Sequence, residues 1–207
     1  VNALLTQTQV TLSRERSIDE YRETLHLSLE ELNRLQRMVA DMLFIARADR
    51  NVDTTPFELV DITKTASDVV EYVELIASEN NQTIEIDGKL AALGDPLMLR
   101  RAMTNLLSNA VRYALSDATI RLSLLAEASF AVIRVTNPYN NALAQAEVER
   151  LFARFSRVSP DESTQPGGLG LGLSIVQSIM RVHSGTATAG LEARQFWVQL
   201  RWPSTGP

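Results

Sequence analysis

The chain has 207 residues, 45% hydrophobic and 22% charged, with 20 Lys and Arg against 25 Asp and Glu for a formal net charge of −5. That length holds one ordinary domain plus an appendage, and the acidic balance, with no basic stripe interleaved with aromatics, argues against a nucleic-acid binder. The absence of cysteine excludes disulfides, thiol nucleophiles and thiolate metal sites, and nothing approaches the run of about 18 apolar residues that spans a membrane. Residues 1–14 read as a helix with Val1, Leu5 and Leu12 on one face. From Ile18 to Ala46, the positions Ile18, Tyr21, Leu25, Leu32, Leu35, Val39, Met42 and Ala46 step by three and four, with Ser28 at one expected apolar site, which is a heptad seam. Leu29, Met38, Leu43 and Ile45 add a second stripe, so this helix needs more than one neighbour and fits a four-helix bundle. Ser17 followed by Glu20 has the spacing of a capping box and makes a helical hairpin the expected form. A lone hairpin buries too little to be stable, so two copies are expected to pair; the alternative is a helix pair packed on its own domain. Asn51 to Pro56, polar and ending in proline, reads as a linker, which divides the chain into 1–54 and 55–207.

From Phe57 the pattern alternates helix-length stretches with short period-two runs, the mark of an α/β layer domain. Helices are expected over Ile62 to Ser78, Pro96 to Ala114, Gln145 to Phe155 and Leu171 to His183, and strands over Thr83 to Asp87, Thr119 to Leu125, Phe130 to Val135, Thr186 to Ala189 and Gln195 to Trp202. Strands arriving in adjacent pairs imply a substantially antiparallel sheet covered by helices on one face, so the fold class is α+β: a helical hairpin followed by a two-layer sandwich. Asp95 and Pro96 announce the second of these helices as N-cap and first helical residue. On it, Asn105, Asn109 and Arg112 share one face while Leu106, Leu107, Ala110 and Val111 take the other. Two middling helix formers in register with an arginine suggest an oxygen-donating, phosphate-facing surface, although a merely solvated polar face has the same pattern. Further on, Gly167, Gly168, Gly170 and Gly172 precede an apolar helix. Such a cluster is costly in or beside a helix unless the chain needs positive φ or close contact, and a helix start with bare amides suits a phosphate. A flexible hinge is the alternative. The run lacks the Gly-Lys-Ser/Thr ending of a Walker loop, and its spacing differs from the dinucleotide-binding fingerprint.

Taken together, these segments resemble the cytoplasmic end of a bacterial two-component sensor histidine kinase. Asn105 to Tyr113 is similar to the family's N box, Leu151-Phe152-Ala153-Arg154-Phe155-Ser156-Arg157 to its F box, and Gly168-Leu169-Gly170-Leu171-Gly172 to its G2 box. The hairpin resembles the dimerisation and histidine-phosphotransfer bundle, and the second unit the Bergerat ATP-binding fold. The resemblance implies ATP and Mg²⁺ as cofactors, with Asn109 as the metal ligand, Asn105 supporting it one turn earlier, and Arg112 approaching the phosphates. Tyr113 would line the pocket, Asn137 would face adenine, Arg154 and Arg157 would reach the γ-phosphate from a lid between residues 152 and 168, and Gly168, Gly170, Leu171 and Gly172 would press on the phosphate chain. It further implies a homodimer, a response-regulator receiver domain as partner, no nucleic-acid partner, and a place in the cytoplasmic portion of an inner-membrane protein whose membrane segments lie upstream. Two departures stand out. The family's Asp-x-Gly-x-Gly adenine loop is replaced by Asn137-Pro138-Tyr139-Asn140-Asn141, whose Asn-Pro start resembles a branch rich in heavy-metal sensors and whose amide oxygen can still accept a hydrogen bond. The phosphoacceptor stretch His-Glu-Leu-Arg-Thr-Pro is also absent, and Val1 to Leu5 resemble the residues directly C-terminal to it in the family, so the acceptor is expected upstream of Val1. Of the two histidines present, His26 reads as a solvated surface residue and His183 as a helix C-cap or packing residue. A non-catalytic nucleotide-binding scaffold and a Bergerat ATPase with a glutamate base are the rival readings.

Overall fold

The computed structural model describes residues 2–48, 56–140, 145–156 and 170–205, in two compact units, Val1–Phe44 and Ile45–Pro207. The first contains helix α1 (Asn2–Leu12) and most of helix α2 (Ile18–Ala48). The capping box forms as its spacing predicts: the Ser17 backbone N–H donates to the Glu20 carboxylate at 2.9 Å and the Glu20 N–H to Ser17 Oγ at 3.2 Å. The Ser17 N–H and then its hydroxyl hold the Glu20 carboxyl below its ordinary range. Along α2 the half-buried stripe is Tyr21, Thr24, Ser28, Leu35 and Met38. Much of the heptad seam is instead open, with Ile18, Leu25, Leu32, Val39 and Met42 between 41% and 73% exposed.

In the second unit a five-stranded sheet is built from β2 (Thr83–Asp87), β4 (Thr119–Glu127), β5 (Phe130–Pro138), β6 (Thr186–Glu192) and β7 (Gln195–Pro203), in the order β2-β4-β5-β7-β6. One pair, β2 with β4, is parallel and the rest are antiparallel. Two further strands, β1 (Glu58–Asp61) and β3 (Ala91–Gly94), pair antiparallel away from it; they are absent from the sequence expectation because four residues are too few to display a period. Alternation puts Ile120, Leu122, Leu124, Ile133, Leu200 and Trp202 in the core. Helices α3 (Ile62–Ser78), α4 (Pro96–Tyr113) and α6 (Gly172–Val182) bring Val69, Val73, Met103, Leu106, Ile175 and Ile179 to it. This is the expected two-layer arrangement.

Helix α4 is fixed at both ends. Asp95 Oδ1 accepts the N–H groups of Leu97 and Met98, each at 2.9 Å, with Pro96 at the first helical position. At the far end the buried Gln82 side-chain amide donates to the carbonyls of Val111, Ala114 and Leu115 at 3.0, 3.2 and 3.2 Å, meeting the acceptors that every helix C-terminus leaves over. The helix expected over 145–155 is shorter, α5 (Gln145–Arg150). Beyond it residues 151–155 run in turns, and Phe155 at φ of +61° lies outside the helical region.

Candidate functional site

The buried side of α4, Leu106, Leu107, Ala110 and Val111, faces the core, which leaves Asn105, Asn109 and Arg112 half-exposed on the opposite side. Asn105 is tethered to its own helix, its Nδ2 donating to the Arg101 carbonyl at 3.0 Å. Its Oδ1 therefore turns outward, toward the start of α6. There the contact is close: a Cβ added to Gly172 would lie 3.2 Å from Asn105 Oδ1 and 3.4 Å from Asn109 Nδ2. Two segments separated by some sixty residues of chain, the asparagine face and the last glycine of the run, are thus one surface. The amide of Asn109 is planar, so with Nδ2 toward Gly172 its Oδ1 lies on the other side of the amide, where a hard cation can be met.

The other residues singled out from the sequence fall around this contact or outside the described residues. Arg112 stacks over the Tyr113 ring at 5.5 Å, the two together ending α4. Leu171 is 2% exposed, so its side chain belongs to the core; its carbonyl takes the Ile175 N–H at 2.9 Å and Ser174 Oγ at 2.8 Å, starting α6. Gly170 has φ of +66°, and a Cβ there would lie 2.7 Å from the Ser156 carbonyl oxygen, so a side chain is barred both by conformation and by space. The Phe155 N–H donates to the Gly170 carbonyl at 2.9 Å, which joins the two flanks of segment 157–169. Arg154 is exposed in the turn before this junction. Arg157 and Gly168 lie outside the described residues, as does segment 141–144.

Near the C-terminal end of the central strand β5, Asn137 is 2% exposed and its Nδ2 donates to the Pro138 carbonyl at 3.1 Å, leaving Oδ1 as the acceptor pole of the amide. Beyond it the Tyr139 N–H donates to the Arg194 carbonyl at 2.9 Å, and the Tyr139 ring leans on Phe196 at 6.0 Å. The turn between β6 and β7 that supplies that carbonyl carries Ala193 and Arg194 at φ of +47° and +63°. Sequence reading missed this turn because two-residue turns of this shape favour Asn-Gly or Asp-Gly, and Ala-Arg gives no such signal. It also placed His183 at a helix end without its partners. Among the described residues no group of three or more His, Asp or Glu could hold a metal ion, and no helix is long and apolar enough to cross a membrane.

Comparison with known proteins bears on the same segments. Residues 94–205 match the family described as histidine kinase-, DNA gyrase B-, and HSP90-like ATPase. The chain is 38% identical over 195 residues to the sensor histidine kinase CusS of Escherichia coli (strain K12), covering 94% of this chain and 40% of that protein. It is 37% identical over 201 residues to the probable sensor protein PcoS of Escherichia coli, covering 97% of this chain and 43% of that protein. The chain thus spans less than half the length of these curated relatives. The solved structure of the Acinetobacter baumannii histidine kinase AdeS superposes with a TM-score of 0.79 at 15% identity, covering 98% of this chain and 94% of that one.

Proposed function

Since the chain belongs to the histidine kinase-, DNA gyrase B- and HSP90-like ATPase family, whose members bind ATP, we propose that it is the kinase core of a two-component sensor histidine kinase. The observation that carries this reading is the seating of Gly172 against Asn105 and Asn109. The amide oxygen of Asn109 holds Mg²⁺, and Asn105, locked by its bond to the Arg101 carbonyl, keeps Asn109 in place. A single protein oxygen suits an ion whose other ligands are phosphate oxygens and water. Arg112 and Arg154, with Arg157, neutralise phosphate charge, Tyr113 lines the pocket, and the Asn137 Oδ1 accepts from the adenine amino group. The bare amides at the start of α6, after Gly168 and Gly170, meet the phosphate chain with the positive end of the helix dipole.

When bound, Mg-ATP supplies the γ-phosphoryl group; the chain contributes positioning and charge neutralisation rather than covalent chemistry. The acceptor is a histidine carried elsewhere in the full-length kinase. His183 is unsuited to that role, being buried with both ring nitrogens engaged. The phosphoryl group then passes to an aspartate of a response-regulator receiver domain. The exposed seam of α2 is covered by a second copy in a four-helix bundle, and this portion of the protein faces the cytoplasm. A hydrolase with a glutamate base does not fit, because position 105 carries a neutral amide that cannot take a proton at neutral pH.

Calorimetric titration with Mg-ATP tests the site. The chain binds Mg-ATP and is stabilised by about 2.7 kcal/mol at a hundredfold excess over Kd, and Asn109→Ala removes the Mg-dependent part of binding while leaving the melting temperature within a degree or so, about the effect expected of an exposed substitution. No binding at millimolar nucleotide would overturn the reading, and unchanged affinity in Asn109→Ala would overturn the choice of metal ligand.

A further inference from the structure

His183 follows α6 and is fully buried. Its Nε2 accepts the Asp95 backbone N–H at 3.0 Å, its Nδ1 lies 2.8 Å from the Ile179 carbonyl, and its ring stacks on Phe57 with centroids 4.6 Å apart at 21°. One partner can only donate and the other can only accept, so the network fixes the ring as an uncharged tautomer with its hydrogen on Nδ1. The space for it is made by Gly94, where a Cβ would lie 3.0 Å from Nε2. The same helix that ends at His183 begins at Gly172, which sits against Asn105 and Asn109. Helix α6 is therefore antiparallel to α4 and touches it at two stations: its last turn holds the α4 N-cap, and its first residue meets the asparagine face. Eleven residues of helix, about 16 Å of a stiff rod, separate them, so a slip at one station is delivered to the other.

We propose that His183 is a positioning residue for the nucleotide site, an imidazole clip that sets the register of α6 on α4 and so the seat of Gly172 against Asn105 and Asn109. Its consequence for catalysis rests on the nucleotide reading above; the clip itself does not. Of the groups packed on the ring, Asp95 on the α4 side is charged and favours the protonated ring, whereas Phe57, Gly94 and Ile179 bring no charge. Burial outweighs the Ile179 carbonyl bond and Asp95, both of which favour the protonated ring, and pushes the His183 pKa below its ordinary value. Because the folded pKa lies below the unfolded one, the clip's contribution to stability is fully present above the unfolded value of about 6.5 and is lost as the pH falls from there through the lower folded pKa, where a proton on Nε2 would oppose the Asp95 N–H.

The test uses three forms of the 207-residue chain: wild type, His183→Phe, which keeps a stacking ring but offers no acceptor, and His183→Gln, whose carbonyl can replace Nε2. The primary readout is the NMR signals of the Asn105 and Asn109 side-chain amides, which need no ligand. They are expected to shift in His183→Phe and return toward wild type in His183→Gln, with Mg-ATP affinity at pH 7 about tenfold weaker in the first and within about threefold in the second. As the pH is lowered from 7 through the His183 transition, followed on the ring's own signals, the amide signals move in wild type and stay in place in His183→Gln, a comparison that needs no folded His183→Phe. Unmoved amide signals in His183→Phe, or identical pH profiles in wild type and His183→Gln, would each overturn the clip, and wild-type nucleotide affinity in a His183→Phe whose amide signals move would overturn its role in positioning the nucleotide site. Amide signals that respond as expected in a protein that binds no Mg-ATP would sustain the clip and overturn the proposed function instead.

Discussion

Gly172→Ala separates the two roles a glycine can have at a helix start. If Gly172 is only a loose joint, alanine should be harmless or beneficial, since it restricts the unfolded chain and favours helix by about 0.5–1 kcal/mol. The structure gives the opposite expectation for binding. The new methyl carbon would lie 3.2 Å from Asn105 Oδ1 and 3.4 Å from Asn109 Nδ2, closer to the first than ordinary contact allows, so something must yield by a few tenths of an ångström. Asn105 is held by its bond to the Arg101 carbonyl, and α6 is anchored through Leu171, Ile175 and Ile179, each no more than 2% exposed. The strain therefore falls first on Asn105, and through it on the proposed metal ligand Asn109 one turn along the same face, which the new methyl also touches. A shift of that size in a positioned ligand costs roughly tenfold in Mg-ATP affinity, about 1.4 kcal/mol, while the melting temperature stays level or rises by about 2–4 °C per kcal/mol of helix gain. Calorimetric titration gives the first quantity and a thermal melt without nucleotide gives the second. Wild-type affinity in a variant of equal or higher melting temperature would refute the argument, because it would mean that the asparagine face tolerates a side chain at 172 and that the close approach has no bearing on binding.

Asn137→Asp restores the residue usual at this point in the family, yet here it is expected to harm. The Asn137 Nδ2 donates to the Pro138 carbonyl and the residue is 2% exposed, so a carboxylate would set lone pairs against that carbonyl and cost about 1–3 kcal/mol of stability at neutral pH, a loss that shrinks as the buried acid takes up a proton. Chemical denaturation at two pH values checks it, and tighter Mg-ATP binding with undiminished stability would contradict it. Replacing Ala193-Arg194 by Asn-Gly should stabilise the chain by about 1–2 kcal/mol, because both positions hold positive φ that costs an ordinary L-residue that much. The bond to the Tyr139 N–H uses only backbone, so nucleotide affinity should be unchanged. A melting temperature at or below wild type would show that the turn carries no strain to relieve.

Where local chemistry alone specifies an element, the sequence is enough. Asp95-Pro96 marks the start of α4, Ser17 with Glu20 marks the start of α2, and β2 runs from Thr83 to Asp87 as its alternation indicates. The asparagine face of α4 is legible for the same reason: period fixes which side chains share a side. What period does not reveal is the partner. Gln82 caps α4 from a position 29 to 33 residues away, and β1 finds β3 across α3 and β2; neither pairing has any local signature. The α2 helix shows the same division, since its heptad seam is plain in the sequence, whereas within the single chain only Tyr21, Ser28 and Leu35 of that seam are half-buried and Ile18, Leu25, Leu32 and Val39 stay exposed. Much of the strongest pattern is thus left uncovered by the single chain, as expected if apolar spacing there was set by a partner beyond it.

The departures around Asn137 gain a common cause when placed in space. The sequence loses two glycines after Asn137 and, separately, spends Ala193 and Arg194 on a turn that prefers glycine. Each looks like a local rule broken without reason. They meet at one hydrogen bond, from the Tyr139 N–H to the Arg194 carbonyl, beside the contact of Tyr139 with Phe196. A glycine-rich loop obtains its path from freedom at each residue, with the entropy cost this brings. Here the exit of β5 is held from outside by a strained turn and by the amide of Asn137 on the Pro138 carbonyl. Strain of this kind persists only where surrounding contacts over-determine it, and the β5–β7 register, which runs unbroken from Phe130 opposite Pro203 to Pro138 opposite Gln195, supplies that restraint. Asparagine at 137 is then part of the same solution: an acidic residue would offer adenine a stronger acceptor but would release the Pro138 carbonyl on which the glycine-free path depends.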